Sequence, residues 1–147
     1  MKKLLAMTLL LTSLNLFSHD EGHGPAITDE SVYGGKVTAI IHEGDVNKGR
    51  KADMVYKAEL VYESRKPAVK LYLFDKNMKA LDLTNFAKTV NAVLIEHHNE
   101  QKFSLALDKS GKFYSGSRPL NKRVPFNIDV KIDKGNEKLF GAFDGLD

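Results

Sequence analysis

The chain has 147 residues, enough for a single domain with one core, and its 28% charged residues leave a formal net charge of only +3. That near balance argues against a nucleic-acid binder, which needs a clustered basic face. The sequence contains no cysteine, which excludes disulfides, thiol catalysis, thiolate metal sites and a lipid anchor on an N-terminal cysteine.

Lys2 and Lys3 open the chain, Leu4 to Leu16 follow without a charge, and Ser18 leads into His19-Asp20-Glu21-Gly22-His23. A basic start, a short apolar middle and a polar exit form the layout of a secretory signal peptide over residues 1–18. The apolar run falls short of the roughly 20 residues a membrane helix needs. The expectation is an exported protein, periplasmic or secreted, with no membrane span after cleavage. Residues 19–32 are polar and rich in Gly, His, Asp and Glu, and read as a flexible lead-in. Residues 33–147 read as one β-domain.

Val37 to Ile41 is the first strand candidate, bounded by Gly34-Gly35 and Gly44-Asp45. Asn47 to Asp53 reads as a charged loop. From Met54 to Ser64 the pattern alternates, with Tyr56, Ala58, Leu60 and Tyr62 on one face and Lys57, Glu59 and Glu63 on the other. Val69 to Phe74 is dense enough in apolar groups to be buried on both faces. Asp75-Lys76-Asn77 is a turn, Ala80 to Leu83 a short strand or crossing segment, and the stretch from Leu83 to Lys88 the sole helical candidate.

Thr89 to His97 is another strand, followed by a turn at Asn99-Glu100-Gln101 and a strand from Phe103 to Leu107. Asp108-Lys109-Ser110-Gly111 is a tight-turn sequence, after which Lys112 to Ser115 returns. Arg118 to Arg123 reads as a solvated basic loop. The clearest alternation runs over Val124, Phe126, Ile128, Val130 and Ile132, which predicts a strand with one wet face. Lys134 to Glu137 turns the chain into Leu139 to Phe143. The sum is an all-β domain, an antiparallel β-sandwich or Greek-key barrel of about seven or eight strands.

Chemistry is sparse in this pattern. No G-x-S-x-G elbow is present, the Gly-rich pieces lack the helix start of a phosphate loop, and the paired carboxylates read as solvated charge. The expectation is a protein that is not an enzyme. The histidines carry the strongest chemical signal, because neutral imidazole is a common ligand for copper and zinc. His19 and His23, assisted by Asp20 and Glu21, form a compact donor set, and His42, His97 and His98 complete the candidate metal ligands. Cleavage after Ser18 would leave the α-amine of His19 beside its imidazole, a pair suited to Cu(II). His97 and His98 read as adjacent residues at a strand end, facing opposite sides. The bland alternative is that the histidines are ordinary exposed polar residues. The tyrosines and phenylalanines fall mostly at core positions, with an exposed stacking face for sugars or bases as the other possibility.

Several segments carry a family resemblance: Gly24-Pro25, Tyr33-Gly34-Gly35-Lys36-Val37, Tyr56 to Val61, Val69 to Asp75, Lys79 to Asp82, Phe113 to Gly116, Pro125 to Ile128 and Phe143. In these the chain resembles the small β-domain attached to periplasmic adaptor proteins of heavy-metal efflux pumps, and its stand-alone exported relatives. The resemblance implies a periplasmic β-sandwich associated with metal handling, without transport activity of its own, and the first reading is a domain that binds or buffers a transition metal or docks to a metal-efflux assembly. Such domains commonly carry a His before the Gly-Gly pair, where this chain has Tyr33. The alternative reading is a cell-envelope structural or interaction domain with no metal role.

Overall fold

The computed structural model describes residues 24–147. The expected signal segment, and with it His19, Asp20, Glu21 and His23, lies outside the described residues. Eight antiparallel strands close into a barrel: β1 (Lys36–His42), β2 (Met54–Tyr62), β3 (Ala68–Phe74), β4 (Thr89–Glu96), β5 (Asn99–Leu107), β6 (Tyr114–Ser117), β7 (Phe126–Lys134) and β8 (Glu137–Leu146). Their order around the barrel is β1-β2-β3-β6-β5-β4-β7-β8. Strands β4, β5 and β6 form a meander and β7 returns beside β4, which is a Greek key. The sequence left sandwich and barrel open, and the structure is the closed barrel.

The alternation of side chains explains the closure. Leu60, Leu71, Leu73, Val90, Leu94, Leu105, Phe126, Ile128, Val130, Ile132 and Phe143 point inward and are buried. An eight-stranded barrel is just wide enough for such side chains to fill it. The inside is apolar and the outside carries residues such as Asn91, Lys102 and Lys131, the reverse of a barrel whose outer wall faces lipid. Among the described residues no helix is long and apolar enough to cross a membrane.

The strand order forces two connections to cross the barrel's ends. Strands β3 and β4 are separated by β6 and β5, so residues 75–88 cross one end. They form turns and a single bridge between Ala80 and Phe74, and Leu83 to Lys88 is not a helix. Tertiary demand explains this: Leu83 and Phe86 both enter the core, while Ala87 N–H is bonded to the Asp133 carbonyl. Strands β6 and β7 are separated by β5 and β4, so residues 118–125 cross the other end.

Four local expectations are corrected. Residues 99–101 belong to β5, and the turn before it consists of His97 and His98. β3 buries Val69, Leu71 and Leu73 on one face, leaving Ala68 and Lys70 exposed. Val124 precedes β7 and is exposed, so the inward set of that strand begins at Phe126. The expected loop after β1 is a kinked 3-10 helix, Glu43–Lys51, and its Val46 packs with Ile41, Ala52, Phe140 and Ala142 in a small second core outside the barrel.

The described part of the lead-in, residues 24–32, lacks regular secondary structure yet is fastened to the outer wall. Lys57 and Glu59 do the fastening, so their face of β2 is covered and not solvated. Lys57 Nζ lies 2.5 Å from Asp29 Oδ2. Glu59 is 0% exposed, and its carboxylate accepts the N–H groups of Val32, Tyr33 and Gly35, each at 2.8 Å. A side chain at position 35 would collide with the Leu60 carbonyl, which is why the strap ends in glycine.

Candidate functional site

The strap delivers Tyr33 to the outside of β3. Its ring stacks on Tyr72 with centroids 4.0 Å apart, and Tyr72 in turn meets Phe113 at 5.3 Å. Tyr72 reaches this wall because it lies in the outward set of β3, between inward Leu71 and Leu73. Phe113 follows the Asp108–Gly111 turn, which forms as the sequence predicts. Gly111 N–H bonds the Asp108 carbonyl at 2.9 Å, Ser110 N–H bonds Asp108 Oδ2 at 2.9 Å, and Gly111 takes φ 70°.

These rings form one wall of a cleft of about 600 Å³. Leu81, Asp82 and Thr84 of the crossing connection form the facing rim, with Ser110 and Lys112 from the turn. Phe74, fully buried, lies beneath Tyr33 at 6.4 Å between centroids. Tyr33 itself is 49% exposed, so an aromatic ring is held rigidly and still offers surface to solvent. The Lys70 ammonium sits 5.1 Å from the Phe113 ring. A mostly apolar, preformed depression with a few convergent polar groups is the usual form of a small-ligand site.

The electrostatics fit binding. The Thr84 backbone N–H and hydroxyl hold the Asp82 carboxyl below its ordinary range, so it stays an acceptor at neutral pH. Burial, then the neighbouring Tyr33 and Glu59, push the Tyr72 phenol up, which keeps it neutral. The Asp108 carboxyl is likewise held low, first by the Ser110 hydroxyl and then by the Ser110 N–H. Ser110 is therefore engaged in its own turn.

The three described histidines do not converge. His42 ends β1 at the barrel end crossed by residues 75–88. His97 and His98 form the β4–β5 turn at the opposite end, both exposed, and His97 has φ 52°. They are therefore not strand residues facing opposite sides. Among the described residues no group of three or more His, Cys, Asp or Glu side chains could hold a metal ion.

The stacking face was present in the sequence only as an alternative. Its signals were the Tyr beside Gly34-Gly35, and Tyr72 out of phase with the apolar residues of β3. What sequence could not supply is that the strap folds back over β2 to bring the two rings together. In comparisons with known proteins, no protein family, no curated protein and no solved structure matches the chain.

Proposed function

We propose that this chain is a non-enzymatic binding domain of the cell envelope, and that its ligand rests on the Tyr33–Tyr72–Phe113 wall. The observation that carries the reading is a half-exposed tyrosine fixed by stacking beside a carboxylate, a hydroxyl and an ammonium. The barrel interior is filled and its ends are crossed, so a ligand has the outer wall to use. A sugar ring suits the cleft best. It places its C–H face on an aromatic ring and its hydroxyls toward Asp82, Thr84 and Lys112.

The chain has no tryptophan, and Tyr33 and Tyr72 are two of its five tyrosines, so a change in tyrosine fluorescence that Tyr33→Ala removes reports on this wall. Titration with N-acetylglucosamine disaccharide and with maltose should give a saturable change with an affinity of about 1 mM or tighter for one of them. Tyr33→Ala should abolish the change while the thermal midpoint moves little. No response to either sugar would remove the glycan reading.

A second reading keeps the metal role, with copper or zinc held by His19, His23, Asp20 and Glu21 and docking to periplasmic efflux-pump or envelope proteins. One structural fact favours it. Gly24 lies against Ala39 and Ile41, the residues leading up to His42, so the tail joins the domain near His42. Calorimetry with Cu(II) and Zn(II) on the wild type and on the variant His19→Ala, His23→Ala, His42→Ala tests it. A micromolar site lost in the variant supports the reading, and heat unchanged by the variant removes it.

A further inference from the structure

We infer that the barrel end crossed by residues 118–125 docks on an anionic phospholipid surface. Residues 122–125 are exposed without interruption, and Leu120 and Val124 are 50% and 60% exposed. Lys122 and Arg123 stand between those two aliphatic side chains, and Arg65 shares their open depression of about 590 Å³. Asp147 also lines it, and nearby Glu63 is paired with Lys66 at 2.7 Å.

The loop is held firmly from beneath. Glu96, 5% exposed, accepts the N–H groups of Lys122 at 2.5 Å and Arg123 at 2.7 Å. Arg118 Nη1 donates to the Pro119 carbonyl and to Asn121 Oδ1, each at 3.1 Å, and Asn121 Nδ2 donates to the Arg123 carbonyl at 3.1 Å. Two buried charges thus fix a segment whose own aliphatic side chains face outward. A loop serving only the core would turn Leu120 and Val124 inward, as the other crossing connection does with Leu83.

The mixture of side chains selects the partner. Protein interfaces deplete charge at their apolar centre and favour aromatic anchors. Here cations are interspersed with aliphatics along an exposed loop. At a bilayer surface the aliphatics enter the acyl boundary while Lys and Arg remain at the level of the phosphates. Anionic headgroups add a favourable increment for each cation, which zwitterionic ones do not. The aromatic cleft lies toward the opposite end of the barrel, so docking leaves it open.

Co-sedimentation with phosphatidylcholine vesicles, with and without phosphatidylglycerol, tests this on the chain from His19 onward, which contains the strap, the barrel and both crossing connections. Binding should require phosphatidylglycerol and weaken as salt is raised. It should fall about tenfold or more in Leu120→Ser, Val124→Ser and in Lys122→Gln, Arg123→Gln, with thermal midpoints unchanged because all four side chains are exposed. Equal binding to both vesicle types, binding undiminished in the two double variants, or no binding at all would overturn the proposal. So would capture of soluble poly-glutamate in preference to vesicles, which would point to an acidic protein partner.

Discussion

Residues 75–88 and residues 118–125 each carry the chain across one end of the barrel, and they close those ends with opposite chemistry. The first brings Leu83 and Phe86 into the core, fully or almost fully buried. The second brings in Arg118, 2% exposed, whose guanidinium lies 5.1 Å from the Phe126 ring. Its Nη2 donates to the carbonyls of Glu63 and Ser64, so one side chain ties the β2–β3 loop to the crossing segment. An apolar plug needs only shape, whereas an ionic plug needs every partner in place. The apolar end therefore tolerates a change of side chain better than the ionic end.

The largest expected effect breaks the ionic end. Arg118→Ala removes the side-chain donor to the Ser64 and Pro119 carbonyls, one of the two donors to the Glu63 carbonyl, whose other is the Lys66 N–H, and the guanidinium charge that interacts with the buried Glu96. The expected loss is about 4 kcal/mol in urea unfolding. Arg118→Lys should recover less than half of it, since an ammonium cannot replace the guanidinium fork. At the apolar end Leu83→Ala should cost about 3 kcal/mol, and Leu83→Met less than about 1.5 kcal/mol. Equal sensitivity of the two ends to conservative replacement would contradict the contrast.

A third test concerns the apolar end at high pH. Tyr114 is fully buried, donates its O–H to the Ala87 carbonyl at 2.8 Å, and burial pushes its phenol up to about 12. The folded state thus holds this proton more tightly than the unfolded chain, whose tyrosine titrates near 10. Its contribution is intact below pH 10 and is lost as the pH rises from 10 through 12. Two pK units correspond to at most about 2.7 kcal/mol. Unfolding of the wild type should therefore steepen against pH above about 10 relative to Tyr114→Phe. Parallel curves for the two proteins would show that the phenol is not shielded.

The contrast also explains what the sequence could reveal. The strands of the barrel were legible because inward and outward positions differ in polarity, most clearly from Phe126 to Ile132. The Asp108–Gly111 turn was legible because its chemistry is local. Arg118 was not, since a buried guanidinium and a solvated one have the same sequence, and only the crossing of β6 to β7 encloses it. Glu59 and Lys57 sat in the polar phase of β2 as expected, yet a strap from 24 residues or more upstream covers them. The cleft shares this fate, because Tyr33 and Tyr72 meet through the strap. Features built by neighbours along the chain were readable, and features built by distant segments that cover polar residues were not.

Glu59→Gln turns that distinction into a measurement. The amide keeps one acceptor oxygen but loses the charge that strengthens three N–H bonds. The expected cost is about 1–2 kcal/mol. Hydrogen exchange should accelerate at Val32, Tyr33 and Gly35, while core amides such as Leu71 and Ile128 are much less affected. Any response of the cleft to sugar should weaken along with it. Acceleration spread evenly over the barrel would mean that the strap and the core open as one unit.

The smallest effect has the opposite sign and bears on the metal reading. His97 occupies the first position of the two-residue β4–β5 turn with φ 52°, a conformation that L side chains enter at a cost and glycine enters freely. His97→Gly relieves that cost but gives the unfolded chain more freedom. The two terms leave a gain of about 0.5 kcal/mol, or a rise in thermal midpoint of roughly 2–3 °C. His97→Asn should behave similarly, because asparagine tolerates the same region. Should His97→Gly instead lower the midpoint, the imidazole contributes something beyond its place in the turn. Metal titration of the same variant then decides what: a Cu(II) or Zn(II) affinity unchanged from wild type confines any metal role to the His42 end, whereas a weakened one would bring the β4–β5 turn back into the site.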